Sequence, residues 1–111
     1  MTGIGFELDD HSDEVKAALD SAVNKGLLMI GLQAENYAAM KAPVDTGRLR
    51  ASITHALEES EQAVYIGTNV EYAPYVELGT SKTKAQPFLR PAAADHQAEY
   101  KAMMEAVLRN G

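Results

Sequence analysis

The residues of this chain whose types and spacing most clearly suggest catalysis are Asp-Thr-Gly at positions 45–47. Asp-Thr-Gly is the signature of aspartic proteases, in which two such loops meet so that paired carboxylates share one proton and activate water. The 111-residue chain would have to dimerise to bring two Asp45 carboxylates together. One hypothesis is therefore a dimeric aspartic protease with a single motif per chain.

The residues that flank the tripeptide argue against that hypothesis. Such proteases hold the loop between apolar β-strands, with a small residue after the glycine. Here a long helical pattern and Pro43 precede the loop, and Arg48 follows it. An arginine beside the carboxylates would lower their pKa values and oppose the sharing of one proton. The structural interpretation is that Asp45 and Thr46 cap the next turn while Gly47 supplies an unusual backbone angle.

Metal and phosphate chemistry have weaker signals. The chain has no cysteine, and its histidines, His11, His55 and His96, include no pair with ligand spacing. His55 lies on the apolar face of a predicted strand, so we expect it to be partly buried or at an interface. Lys82 and Lys84 could contact phosphate, but a net charge of -6 disfavours general nucleic-acid binding. We therefore predict no metal and no cofactor, and keep a small DNA-binding regulator as an alternative.

The composition predicts one domain with a thin core. The hydrophobic fraction is 46%, but only 6% of the residues are aromatic and much of the apolar content is alanine. A partner surface could supply the rest of the buried area. No apolar run reaches the length of about 18 residues that would indicate a membrane span, and the N-terminus lacks the pattern of a signal peptide. We expect a cytoplasmic site of synthesis and no membrane contact.

The first 43 residues predict a short strand and a long helix. Ile4, Phe6 and Leu8 alternate with other residues, which predicts a strand over residues 3–8. Ser12, followed by two acidic residues, resembles a helix N-cap. Apolar residues then recur with helical spacing up to Pro43, which ends the pattern. The two glycines within it, Gly26 and Gly31, are expected to weaken or bend the helix.

The middle of the chain predicts an antiparallel hairpin. Residues 49–57 alternate as a strand with Leu49, Ala51, Ile53 and Leu57 on one face, but residues 46–51 could instead form a helical turn. Both readings are open at this point. Residues 58–61 form a polar turn, and residues 63–68 have the β-branched and aromatic content of a second strand.

The last third predicts helices around a loop. Residues 71–79 are compact and semi-helical, the loop at about 79–86 lacks an apolar anchor and is expected to be mobile, and residues 87–91 re-enter the core. A last helix is predicted over residues 92–109. The fold class is therefore α+β: a long N-terminal helix and a C-terminal helix packed on a small antiparallel β-sheet built around the hairpin.

Three aromatic residues cluster around the loop. Tyr72, Tyr75 and Phe88 account for much of the aromatic content of the chain. One interpretation is a small local core. The other is a contact patch that docks on a neighbouring subunit.

Three separated motifs, in this order, resemble a known family. They are Ala-Pro-Val-Asp-Thr-Gly-Arg-Leu-Arg-Ala-Ser-Ile at 42–53, Val-Glu-Tyr-Ala-Pro-Tyr-Val-Glu-Leu-Gly-Thr at 70–80, and Gln-Pro-Phe-Leu-Arg-Pro-Ala at 86–92. The chain resembles, over about residues 10–110, the small neck or head–tail joining proteins of long-tailed bacteriophages and prophages, which include minor tail and tail-completion components. Gln86 stands where the family commonly has arginine, which puts any contact of that arginine in doubt.

The resemblance implies a structural virion protein without catalysis or a cofactor. Such proteins are made in the host bacterial cytoplasm and assemble as a ring between the head-connector and tail proteins, around the path of the DNA. The acidic balance suits that path, because a basic lumen would hold the phosphates. The candidate structural and interface residues are Asp45, Thr46, Gly47, Arg48, Arg50, Tyr72, Pro74, Tyr75, Gly79, Lys82, Lys84, Pro87, Phe88 and Arg90.

Overall fold

A computed structural model describes residues 2–43 and 47–110, with residues 2–12 described by their backbone alone. The fold is α+β with helices dominating, as predicted, and it extends over 67 × 22 × 22 Å. The elements in chain order are α1 (Thr2–Lys41), α2 (Arg48–Ser52), β1 (Thr54–Glu58), a 3-10 helix (Glu59–Glu61), β2 (Ala63–Gly67), α3 (Ala73–Leu78), α4 (Leu89–Ala94) and α5 (Gln97–Asn110).

Helix α1 is longer than the sequence predicted. The strand expected at residues 3–8 is wrong, because these residues belong to α1, and Ser12 lies inside the helix instead of capping it. Ile4 and Leu8 are four residues apart, so the alternation is also compatible with one face of a helix. The predicted end is confirmed: α1 stops at Lys41, just before Pro43.

The two internal glycines leave α1 continuous and allow close packing. A Cβ at Gly31 would lie 2.6 Å from Cγ2 of Val64 and 3.0 Å from Cδ2 of His55. A Cβ at Gly26 would lie 2.7 Å from Sδ of Met104. At Gly31 the hairpin can therefore approach α1 so closely only because a side chain is missing, whereas at Gly26 the flexible end of Met104 fills the space that a side chain would take.

The hairpin is confirmed, and the structure resolves the alternative before it. Residues 48–52 form the helical turn α2, which buries Leu49 while Ala51 is exposed. Buried Ile53 follows four residues after Leu49, so helical spacing places both toward the core. Strand β1 begins only at Thr54 and pairs antiparallel with β2, with His55 opposite Ile66.

The predicted C-terminal helix is two helices. The prediction of one helix over residues 92–109 is wrong, because α4 ends at Ala94 and α5 begins at Gln97. His96, in the turn between them, stacks on Tyr37 of α1 with ring centroids 3.7 Å apart. The turn redirects α5 so that it runs antiparallel along α1, with Glu99 beside Tyr37 and Met104 beside Gly26.

The core is small and rich in alanine, as the composition predicted. Among the described residues, five of the nine buried apolar side chains are alanine. Phe88 is the largest side chain in this set and has no exposed surface. The buried residues are Ala34, Ala38, Ala42, Leu49, Ile53, Val70, Ala73, Phe88 and Ala92.

Candidate functional site

Phe88 organises the end of the molecule at which α1 stops. Its ring lies in one cluster with buried residues of α1, α2, α3 and α4. These residues come from all three sequence motifs: Ala42, Leu49 and Ile53 from the first, Val70 and Ala73 from the second, and Ala92 from the third. The motifs therefore meet in one core, and Phe88 has no surface to offer to a partner.

The carboxylate of Glu77 joins the second motif to the third. It accepts hydrogen bonds from the backbone N–H groups of Phe88 at 3.0 Å, Leu89 at 2.9 Å and Arg90 at 3.1 Å. These amides lie at the start of α4, where the helix dipole favours negative charge. Burial alone would raise the pKa of Glu77, but the three amides and the charge of Arg90 outweigh it and lower the pKa. Glu77 therefore caps α4 from a different helix.

Sequence reasoning missed Glu77, although a signal for it exists. Residues 87–91, Pro-Phe-Leu-Arg-Pro, begin a helix with no Ser, Thr, Asp or Asn at the cap position. The cap residue is Phe88, whose side chain makes no capping hydrogen bond. A helix that starts inside a core without a local cap requires a remote acceptor, and an acidic residue in the neighbouring motif is the natural candidate.

Arg48 links the first motif to the second on the surface. Its Nη1 donates to Oε1 of Glu71 at 3.1 Å and its Nη2 to Oε2 at 2.9 Å, in a two-bond contact. The guanidinium carbon also lies 5.6 Å from the centre of the Tyr72 ring. The hydrogen bonds raise the pKa of Arg48 and lower that of Glu71. Since both side chains are largely exposed, the pair orients α2 against α3 more than it stabilises the fold.

The tripeptide that opened the protease hypothesis connects two helices. Asp45 and Thr46, with their predicted capping role, lie outside the described residues. Gly47 has φ of 77°, in the left-handed region, and precedes α2. Arg50 donates from Nη2 to the backbone oxygen of Ala42 at 3.4 Å, at the end of α1. The nearest described elements on either side of the tripeptide are thus helices, α1 and α2, unlike the strands that hold a protease loop.

The loop between α3 and α4 is closed at its base. The backbone N–H of Gln86 donates to the oxygen of Val76 at 2.8 Å, and that of Thr80 donates to the oxygen of Thr83 at 2.8 Å. Gly79 has φ of 77°, and a Cβ there would lie 2.7 Å from the backbone nitrogen of Ala85. Residues 80–85 therefore project from two backbone segments that touch, which is the geometry of an Ω-loop.

The surface beside this loop carries most of the remaining candidate residues. Tyr75 is 63% exposed and Leu78 is 67% exposed, both on α3. Lys82 and Lys84 are exposed on the loop itself. A cavity of about 220 Å³ separates the loop from α3, with Tyr72, Tyr75 and Lys84 in its lining. We call Tyr75, Leu78, Lys82 and Lys84 the loop surface.

The remaining candidates lie at the starts of α3 and α4. Pro74 lies in the first turn of α3, where its missing N–H costs nothing, and it is exposed. Pro87 and Arg90 are exposed at the start of α4. The structure thus brings Pro87, Phe88 and Arg90 together with α3.

The described histidines lie elsewhere. Nδ1 of His55 is 2.9 Å from Oε1 of Glu35 on α1, and His96 stacks on Tyr37. In the part of the chain that the structure describes, no group of three or more His, Asp or Glu side chains is arranged to hold a metal ion. Nor does any described helix combine the length and apolar character needed to cross a membrane.

Comparison with known proteins identifies the class to which this chain belongs. A family model described as "Bacteriophage HK97-gp10, putative tail-component" matches residues 4–79, which is more than half of the chain. The chain therefore belongs to the HK97-gp10-like family of bacteriophage tail components, which are structural parts of the virion. The match covers α1 to α3 and ends before the loop surface is complete. No curated protein and no solved structure matches the chain.

Proposed function

We propose that this tail component acts in the phage neck, as one subunit of a ring that joins the head connector to the tail. The observation that carries the proposal is membership of the tail-component family over residues 4–79. The third motif at 86–92 extends the likeness to neck proteins beyond that match. The protein is made in the host cytoplasm, is incorporated into the virion, and performs no catalysis.

Charge and core size support a ring around the DNA path. The net charge of -6 disfavours retention of the phosphate backbone, so that DNA would pass without specific binding. The alanine-rich core leaves large apolar side chains exposed, including Tyr75 and Leu78. Neighbouring subunits and connector or tail proteins would bury such side chains on assembly.

Removing the gene tests this function directly. In the phage that encodes the protein, we expect the knockout to accumulate separate DNA-filled heads and finished tails in electron micrographs. A plasmid copy should restore joined particles, and so should a copy with Asp45→Asn, because no carboxylate chemistry is involved. Normal virions from the knockout would overturn the neck function, and failure of Asp45→Asn alone would revive the protease hypothesis.

Deleting residues 80–85 tests whether the loop surface contacts a neighbour. Because Gln86 donates to the oxygen of Val76 and the backbones of Gly79 and Ala85 lie close together, joining Gly79 to Gln86 should preserve the fold and the thermal unfolding midpoint. We expect the same deletion to block the joining of heads and tails in the complementation assay.

A milder variant provides the control for that deletion. Lys82→Ala with Lys84→Ala removes the exposed charges without shortening the loop, and should reduce joining less than the deletion does. Full joining by the deletion variant would contradict a role for this loop in assembly.

A further inference from the structure

A segment of α1 that begins at residue 13 is exposed along most of its length. Every residue from 13 to 19 is exposed, and we call residues 13–22 the arm. Described hydrogen bonds to other elements lie at its base, where Asp20 accepts from Gln62 at 3.1 Å, and just beyond it, where Asn24 donates to Glu59 at 3.0 Å. A helical segment without tertiary packing is only marginally stable, so packing on a partner surface would stabilise the arm.

The arm has an apolar face. Val15 is 52% exposed and Leu19 is 55% exposed, and with Ala18 and Ala22 they recur every three or four residues. This face continues the side of α1 that α5 covers further along, where Met104 lies against Gly26. The described α5 runs no further than Asn110, so nothing in the described fold covers the same face on the arm.

A groove of matching character lies between α1 and α5. Its volume is about 360 Å³, and it is lined by Lys25, Met29, Met103, Ala106, Val107 and Asn110. Two more exposed apolar side chains of α1, Leu28 and Leu32, follow Lys25 at three and seven residues. We call this the α1–α5 groove.

We propose that the arm of one copy docks in the α1–α5 groove of a neighbouring copy. The inference rests on the proposed ring and names the surfaces that build it. Val15 and Leu19 supply the apolar ridge, and Met29, Met103 and Val107 supply the groove, which is recognition of a helix by a hydrophobic groove. The arm and the groove are different surfaces, so the contact is head-to-tail and propagates into a ring if the rotation closes.

Charge complementarity favours a second copy as the occupant. Glu14 flanks the apolar face of the arm, whereas Lys25 lines the groove and Arg109 is exposed on α5, next to the lining residue Asn110. None of these three side chains forms a salt bridge with any described residue. The pairing of Glu14 with Lys25 would therefore use charges that the isolated fold leaves exposed.

Paired substitutions on the arm test the apolar contact. Sedimentation velocity of the purified protein up to millimolar concentration should show self-association, and Leu19→Asp should weaken it by about 10- to 100-fold. Ala17→Asp is the matched control, because Ala17 is exposed on the opposite side of the same helix. A wild-type protein that stays monomeric, or equal loss in both variants, would overturn the docking.

A charge exchange tests the register of the contact. Glu14→Lys should weaken association, and Lys25→Glu in the same chain should restore it. Asp13→Lys makes the same change of charge on the side of α1 away from the apolar face, so it should have a smaller effect. The absence of rescue by the double variant would contradict the Glu14–Lys25 pairing.

Cysteine cross-linking locates the contact, since the chain has no native cysteine. Leu19→Cys mixed with Met103→Cys should give a disulfide-linked dimer on mild oxidation, and Ala17→Cys with Met103→Cys should not. Docking only with a different protein predicts no preferred cross-link, which counts against the proposal. If the knockout separates heads from tails but Leu19→Asp complements fully, arm docking is wrong and the neck function stands. If the cross-link forms but the knockout gives normal virions, arm docking stands and the neck function is wrong.

Discussion

Phe88→Ala is expected to lower the free energy of unfolding by about 3–5 kcal/mol, the cost of emptying a well-packed aromatic site. Phe88 has no exposed surface and touches the cluster to which all three motifs contribute. Four of the seven other buried residues in that cluster are alanine, which has no rotamers with which to fill the space. Because a small domain has only about 5–15 kcal/mol of stability, the loss should leave a large unfolded fraction. Urea denaturation followed by circular dichroism measures it.

Two further substitutions keep this prediction measurable if Phe88→Ala does not fold. Phe88→Leu retains part of the buried area and should cost less, within the range that urea denaturation resolves. Leu78→Ala removes a similar apolar side chain that is 67% exposed, so its effect should be within a few tenths of a kcal/mol, or about 0.5 at most. Equal losses for Phe88→Leu and Leu78→Ala would contradict the central place of Phe88 in the core.

The parts of the fold that could be predicted are those specified by neighbouring residues. Pro43 ends α1 because its ring removes a donor and restricts the preceding residue, and that effect is independent of the rest of the chain. The hairpin follows from two strand-like segments on either side of a polar turn at residues 58–61. Such local signals are read directly from sequence.

The parts that could not be predicted depend on contacts between distant segments. The break between α4 and α5 places His96 on Tyr37, which lies far away in sequence, and the alanines around the break give no local reason to stop a helix. Helix propensity alone predicts that Gly26 and Gly31 weaken α1. Their role in packing is not visible in the local sequence, because their close neighbours, Met104 and Val64, belong to other elements. An alternation over only six residues, at 3–8, does not distinguish a strand from part of a continuous helix.

The candidate site divides in the same way. The resemblance of the three motifs selects core residues and surface residues together and does not separate them. Phe88 and Tyr75 are both aromatic and both lie within motifs, yet one is buried and the other is 63% exposed. Only the tertiary structure distinguishes them, because it places Phe88 in the buried cluster and anchors its backbone N–H on Glu77. A sequence gives little sign of such a role for Glu77, since its partners are backbone amides.

Glu77→Ala is expected to lower the free energy of unfolding by about 1–3 kcal/mol at neutral pH, because three amides, two of them in partly buried hydrogen bonds, lose their acceptor. The effect should also depend on pH. The pKa of Glu77 is lowered in the folded state, so its stabilisation is present above the ordinary value of 4.5 and is lost as the pH falls through the folded pKa. Urea denaturation at a series of pH values below neutrality measures this loss.

Comparison with a second carboxylate separates the cap from general acid effects. Glu77→Gln keeps one carbonyl acceptor but no charge, so it should be destabilised at neutral pH and should lose less stability than the wild type as the pH falls below 4.5. Glu105→Gln makes the same change of charge on an exposed position of α5 and should follow the wild-type pH dependence. If both variants have the same pH profile, Glu77 does not stabilise the start of α4 as a carboxylate. A flatter profile for Glu77→Gln alone would tie the junction of the second and third motifs to one ionised side chain, because protonating that side chain weakens the acceptor on which the amides of Phe88, Leu89 and Arg90 depend.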